Sequence, residues 1–308
     1  MTTVTSPTRT PRRRKRLNSP TGLPRVYFVL PATVFIFFIV GYPMFELFRM
    51  SFATVTPATL LTGGDYVGFD NYTALFNSPS FGDIAVRTAV FGLIVLLIAL
   101  PGGLAAAMAL EKRTKFFGFT YGLMVLMWAL PPIVNAVAWR FIFFQDGALN
   151  EILRGLGIID EPIFFLLDGW LPLLSVSFVA GWVALPFAAV VFRAALMDVP
   201  KEQLEAAEVD GAGAASRFWN ITFPSISPTV YILSILFLSW AVRSFDFTFV
   251  MTGGGPGEAS TTLPLLGYVK AFQLADFSGG ATVAVVTIIA VLIFALPYTR
   301  SLGKQSDR

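Results

Sequence analysis

The 308-residue sequence has no histidine and no cysteine, and only 13% of it is charged. Without cysteine there is no disulfide and no thiol nucleophile; without histidine as well, a Cys/His zinc site and any His-based triad are excluded. The missing cysteines are silent about compartment, because their absence suits oxidising and reducing surroundings alike. Charged residues make up roughly a quarter of an ordinary soluble domain, so this chain has too little charge to clothe a water-soluble surface. A formal net charge of +3 gives no reason to expect nucleic acid as a partner. Apolar residues are what the chain has in abundance: 55% are hydrophobic, 31 are Phe, and mean hydropathy is +0.70. This composition belongs in a bilayer.

A helix crosses the hydrocarbon with about 20 consecutive apolar residues. Uncharged runs of that length lie at 26–45, 88–110, 116–139, 169–192, 221–242 and 277–299. Pro224 and Pro228 open the fifth run, which moves the expected helix to 229–250, with Arg243 and Asp246 inside it. Shorter stretches at 141–144, 163–167 and 263–269 read as interfacial pieces. Barrel strands are about 10 residues long and alternate in polarity, which these runs do not. The expectation is an all-α polytopic membrane protein of six transmembrane helices.

Lys and Arg set the orientation. The N-terminal tail holds Arg9, Arg12, Arg13, Arg14, Lys15, Arg16 and Arg25. Lys112, Arg113 and Lys115 follow the second run, Arg193, Lys201 and Arg217 surround the fourth connection, and Arg300, Lys304 and Arg308 follow the sixth. The opposite side has only Arg49, Arg154 and Lys270, so both termini are expected in the cytoplasm. Residues 1–20, rich in Thr, Pro and Arg, read as a disordered basic tail, with the six-helix domain over 21–308. The apolar run behind the tail is too long for a secretory signal core and lacks a small-x-small cleavage site, so the tail reads as an anchor toward anionic lipid.

The polar connection from 197 to 228 is the most informative part of the chain. Asp198 is placed to cap a helix with Pro200 early in it and Glu202 in the first turn. Ala206 and Ala207 leave one patch nearly free of bulk, and Gly211 ends the helix. A second helical stretch, 212–222, carries Arg217, Phe218, Trp219 and Ile221 before Pro224 and Pro228 break it. One reading is a connection lying on the bilayer, tied down by Phe218 and Trp219. The other is a lever that plugs into a soluble partner. Five acids (Asp198, Glu202, Glu205, Glu208, Asp210) against two bases would repel anionic lipid and favour the protein.

Glu205, Ala206 and Ala207, then Asp210, Gly211 and Ala212, then Phe218, Ile221 and Pro224, resemble the EAA signature of binding-protein-dependent ABC importer permeases. Phe245 to Phe249, running into Met251-Thr252-Gly253-Gly254-Gly255-Pro256, is similar to the segment after span five in the carbohydrate-uptake subgroup, which includes maltose and glycerol-phosphate permeases. Gly68-Phe69-Asp70-Asn71-Tyr72 is a weaker match to the same subgroup, and Met251 stands where Leu is common. The resemblance implies a cytoplasmic coupling helix that docks in a groove of an ATPase subunit. Glu205 would face a basic residue there, with Gly211 as the sharp turn. It implies a non-catalytic permease subunit in a bacterial or archaeal plasma membrane, forming half of a pathway that works by alternating access. The implied partners are a second permease, two ATPase subunits and an extracytoplasmic solute-binding protein. The chain has no G-x-x-x-x-G-K-S/T phosphate loop, so no cofactor is expected in it; ATP and Mg would belong to the ATPase.

Ionisable residues inside a span are costly unless paired or wetted. Arg243 and Asp246, at i and i+3 of the shifted fifth helix, would either neutralise each other or line the pathway beside Trp240, with Ser239 and Ser244 as hydrogen-bonding neighbours for a sugar. Arg87, Arg140 and Glu46 lie near span ends and read as snorkelling to water. Gly253, Gly254 and Gly255 fit either an outer gate or an ordinary flexible loop. A stand-alone secondary transporter is the alternative, but it would call for more intramembrane carboxylates and for inverted repeats. An intramembrane enzyme lacks any Ser/Lys or Asp/Asp pair in facing spans.

Overall fold

A computed structural model describes residues 26–110 and 117–306, with side chains described over 29–110 and 118–293. The basic tail and the Lys-rich link after the second run lie outside the described residues. The chain divides into two compact units, one ending at Glu46 and one beginning at Leu47.

α1 (Val26–Ile36) passes through a π-helical turn, Phe37–Gly41, into α2 (Tyr42–Ser51), and the first unit ends within α2 at Glu46. Pro43 does not break the helix. The N–H of Tyr42 reaches back five residues to Phe37 O, and this widened turn makes room for the ring that follows. The apolar window here has none of its residues buried, and Phe35, Phe37 and Phe38 are exposed.

In the second unit, a short antiparallel pair, β1 (Ala53–Thr54) with β2 (Asp65–Tyr66), precedes α3 (Asp70–Phe76). The Gly68–Tyr72 stretch has a structural role here. Gly68 takes φ +59°, and Asn71 Nδ2 donates to Ser51 O and Ala53 O at 3.0 Å each. The Tyr72 ring packs on Phe52 and Phe69.

The centre is the pair α4 (Phe81–Ala109) and α8 (Leu171–Met197). Ala99, Gly103 and Ala107 recur every four residues along the buried face of α4, facing Ala184 and Ala188 of α8. A Cβ added at Gly103 would fall 2.4 Å from Ala188 Cβ, and one at Gly181 would fall 2.8 Å from Ile98 Cβ. Small residues at a helix spacing let the two backbones close in, which is the main source of helix association where water supplies no drive.

Between them lie α5 (Phe117–Ala129), α6 (Pro132–Phe143) and α7 (Ala148–Gly155). The third apolar run is therefore a broken span, bent by 103° at Leu130 and Pro131. Beyond α8 come α9 (Lys201–Val209), α10 (Ala214–Arg217), a π-helical turn at Phe218–Thr222, α11 (Phe223–Val242), α12 (Asp246–Thr252), α13 (Leu263–Tyr268) and, after a third such turn at Val269–Gln273, α14 (Phe277–Ser306).

The all-α membrane architecture stands, but the count of six does not follow directly. Among the described residues four helices are long and apolar enough to cross, five with the bent pair, and the apolar part of α14, Phe277–Ile293, is shorter. The fifth helix also differs from expectation. Pro224 and Pro228 do not displace it to 229–250: one helical rod runs from Ala214 to Val242. The π turn, closed by Phe223 N–H to Phe218 O, precedes Pro224. The carbonyl of Pro224, deprived of a partner by Pro228, instead accepts from Ser227 Oγ at 2.8 Å.

Candidate coupling elbow and translocation cavity

The acidic connection folds as two helices meeting at Gly211. The cap differs from expectation: Asp198 closes the C-terminus of α8, its N–H bonded to Ala195 O, and Pro200 occupies the N-cap of α9. Gly211 behaves as expected. At φ +82° it sits in the left-handed region, and two bonds close the helix end, Ala212 N–H to Ala207 O at 2.8 Å and Gly211 N–H to Glu208 O at 3.0 Å. These are the paired bonds of a Schellman cap.

No residue of α9 is buried. Leu204 and Ala207 are half-buried, and Leu204 packs against the cluster of Phe192, Val199 and Ile226. Glu205, Ala206, Glu208 and Asp210 are exposed, as is Val209 at 88%. Glu208 spans the turn to Arg217 as an ion pair. Ala212 and Phe218 are half-buried, the latter with its ring on Trp219 and Phe223; Pro224 is exposed on the rod. The elbow is thus anchored on one face and presents acid, small residues and one bare valine on the other.

The far end of the same rod borders a cavity of about 530 Å³ lined by Trp128, Leu130 and Pro132 of the broken span, Val183, Ala184 and Phe187 of α8, and Leu236, Phe237, Ser239, Trp240 and Arg243. Trp128 lies on Phe187 at 5.5 Å, and Trp240 packs edge-on to Phe247 at 6.1 Å. Arg243 Nε donates to Ser239 O at 3.0 Å. Arg243 also borders a second, almost wholly apolar cavity of about 520 Å³ beside α13 and α14.

Of the four residues expected along a pathway, Trp240 and Arg243 line this cavity. Ser244 is buried and Asp246 begins α12, and neither lines it. Arg243 and Asp246 do not share a helix, because α11 ends at Val242, and no ion pair joins them. Trp128 and Phe187 were missed: they come from distant segments that only the tertiary fold brings to Trp240. Arg87 pairs with Asp83 at 4.0 Å, and Arg140 donates to Val250 O at 3.1 Å.

The glycine-rich loop is closed by hydrogen bonds. Ser260 N–H and Thr261 Oγ1 both donate to Gly254 O, at 3.1 Å each, and Ser260 Oγ meets Thr252 Oγ1 at 2.7 Å. Gly253 and Gly254 take φ of +63° and +89°, and Ser260, Thr261 and Thr262 are buried.

Comparison with known proteins fits this geometry. The chain is 30% identical over 298 residues, 94% of each chain, to the sulfoquinovosyl glycerol transport system permease protein SmoG of Agrobacterium fabrum. It is 30% identical over 243 residues to the trehalose/maltose transport system permease protein MalF of Thermococcus litoralis, covering 79% of this chain and 81% of that one. Its fold matches a chain in the crystal structure of a bacterial ABC transporter involved in the import of the acidic polysaccharide alginate. That match has TM-score 0.74 and 20% identity, over 91% of this chain and 95% of that one. Residues 99–300 match the family described as the binding-protein-dependent transport system inner membrane component. The chain belongs to that family, as a membrane-embedded, non-catalytic permease subunit of an ABC importer.

Proposed function

We propose that this chain forms half of a translocation pathway for a sugar or related polar solute and opens it alternately to the two sides of the membrane. The observation that carries the reading is the cavity walled by Trp128, Phe187 and Trp240 and edged by Ser239 and Arg243. Aromatic walls with a few placed polar groups form the kind of pocket that holds a small polar ligand in a fixed pose. The names of the relatives, sulfoquinovosyl glycerol and trehalose/maltose, support a carbohydrate cargo.

The elbow supplies the drive. An ATPase subunit seats on the exposed acids and small residues of α9, with Glu205, Ala206, Ala207, Asp210, Gly211 and Ala212 forming the contact and its turn. Phe218 and Pro224 hold the base of the rod. Because α10, the π turn and α11 run as one helix of 29 residues, about 43 Å long at 1.5 Å per residue, a tilt imposed at Gly211 is delivered at Trp240 and Arg243. Ser244 and Asp246, just beyond the rod, carry that tilt into α12. A second permease supplies the other half of the pathway, two ATPase subunits bind ATP and Mg, and an extracytoplasmic binding protein delivers the solute. The elbow and both termini face the cytoplasm. Reconstituting the complete transporter in proteoliposomes tests the reading: uptake must require ATP and the binding protein. Uptake that persists without ATP overturns it.

A further inference from the structure

The broken span has a polar residue at its bend. Pro131 has no N–H, so Met127 O loses its helical partner, and Val134 N–H, which would serve Leu130 O in a regular helix, turns instead to Pro131 O at 2.9 Å. Both freed carbonyls accept from one side chain: Asn135 Nδ2 lies 3.4 Å from Met127 O and 3.4 Å from Leu130 O. Asn135 is 7% exposed, and an amide buried to that degree is costly unless bonded. In an unbroken helix eight residues separate donor from acceptor by about 12 Å, so the bond to Met127 O exists only while the two helices are folded across Leu130.

The bend itself forms one wall of the aromatic cavity. Trp128, Leu130 and Pro132 line it, while Asn135 does not. Trp128 sits between the two stapled carbonyls, its ring half exposed and tilted on Phe187. We propose that Asn135 is a positioning residue: it latches the bend and so presents the Trp128 ring to the solute, setting the affinity of the pathway without touching what passes. This rests on reading the cavity as the solute's path.

The absence of cysteine makes the test direct. Cysteines at Leu123 and Val137, both exposed and on opposite sides of the bend, are spin-labelled in the complete transporter assembled with cysteine-free partners. Their separation is read by pulsed EPR, and maltose uptake is measured in parallel. The parent is expected to give one narrow distance. Asn135→Leu and the smaller Asn135→Ala, neither of which has a donor for the two carbonyls, are expected to give a longer, broader one, and Asn135→Gln to restore the parental value. Asn135→Leu should raise the half-saturating maltose concentration roughly tenfold with ATP hydrolysis within about twofold of the parent. Trp128→Ala should also raise the half-saturating concentration while leaving the distance unchanged. Parental distances in both the Leu and Ala variants, or an opened bend with unaltered half-saturation, overturn the proposal, and the Ala variant decides it if the Leu variant fails to assemble. No maltose uptake by the parent would exclude maltose as the solute without touching the broader sugar reading, while the distances still decide the latch.

Discussion

Gly211→Val probes the elbow through the backbone alone. No atom lies within 4 Å of a Cβ added at Gly211, so the substitution meets no clash. Its cost is conformational: a residue other than glycine held at φ +82° costs roughly 1–3 kcal/mol, with a β-branched side chain at the upper end. Relaxing to negative φ escapes that strain but gives up the bonds at 2.8 Å and 3.0 Å that cap α9, each contributing about 1 kcal/mol. The cheaper route sets the cost: two lost bonds come to about 2 kcal/mol, which disfavours the native elbow roughly thirtyfold in population at 1.4 kcal/mol per factor of ten. Asn tolerates the left-handed region, so Gly211→Asn should retain most function. The assay measures uptake and stimulated ATP hydrolysis on one proteoliposome preparation of the complete transporter. Solute moved per ATP should fall at least about tenfold in the Val variant with membrane insertion unchanged. Parental coupling in Gly211→Val, or an Asn variant as damaged as the Val variant, would refute the reasoning.

Other outcomes follow from the same structure. Glu205→Lys reverses an exposed charge on α9 and should lower ATPase copurification about two- to fivefold at low salt, in keeping with the modest worth of exposed pairs; unchanged copurification counts against the docking face. Gly103→Leu drives a side chain into Ala188, 2.4 Å from the first added carbon, and should destabilise the α4–α8 pair by about 1–3 kcal/mol, read as a lower melting temperature in detergent. Trp240→Ala removes one aromatic wall of the cavity and should raise the half-saturating solute concentration about two- to tenfold, with basal ATP hydrolysis preserved.

The long apolar runs that became α4 and α8 were legible in the sequence because hydrophobic length is a local property. Gly211 was legible for a similar reason: a helix end that needs positive φ selects glycine whatever surrounds it. Pro224 and Pro228 misled because proline's cost depends on what absorbs it. Here the widened turn before Pro224 and the Ser227 hydroxyl on Pro224 O do so. The same error moved Arg243 and Asp246 onto one helix, whereas α11 ends at Val242. The 103° break was not legible: the run 116–139 reads as one span, and the contact of Asn135 with Met127 O and Leu130 O across the bend is not revealed by sequence spacing. The cavity was half legible: Trp240 and Arg243 stand beside each other in sequence, but Trp128 and Phe187 join them only through packing.

The central claim, that the exposed face of α9 is the seat of an ATPase subunit, is open to one direct measurement. Val209, exposed on that face, is replaced by cysteine in this cysteine-free chain, labelled with a photoactivatable maleimide and irradiated in the assembled transporter in lipid nanodiscs. The account expects a covalent adduct with the ATPase subunit as the main product. Adducts with lipid and none with the ATPase would contradict it.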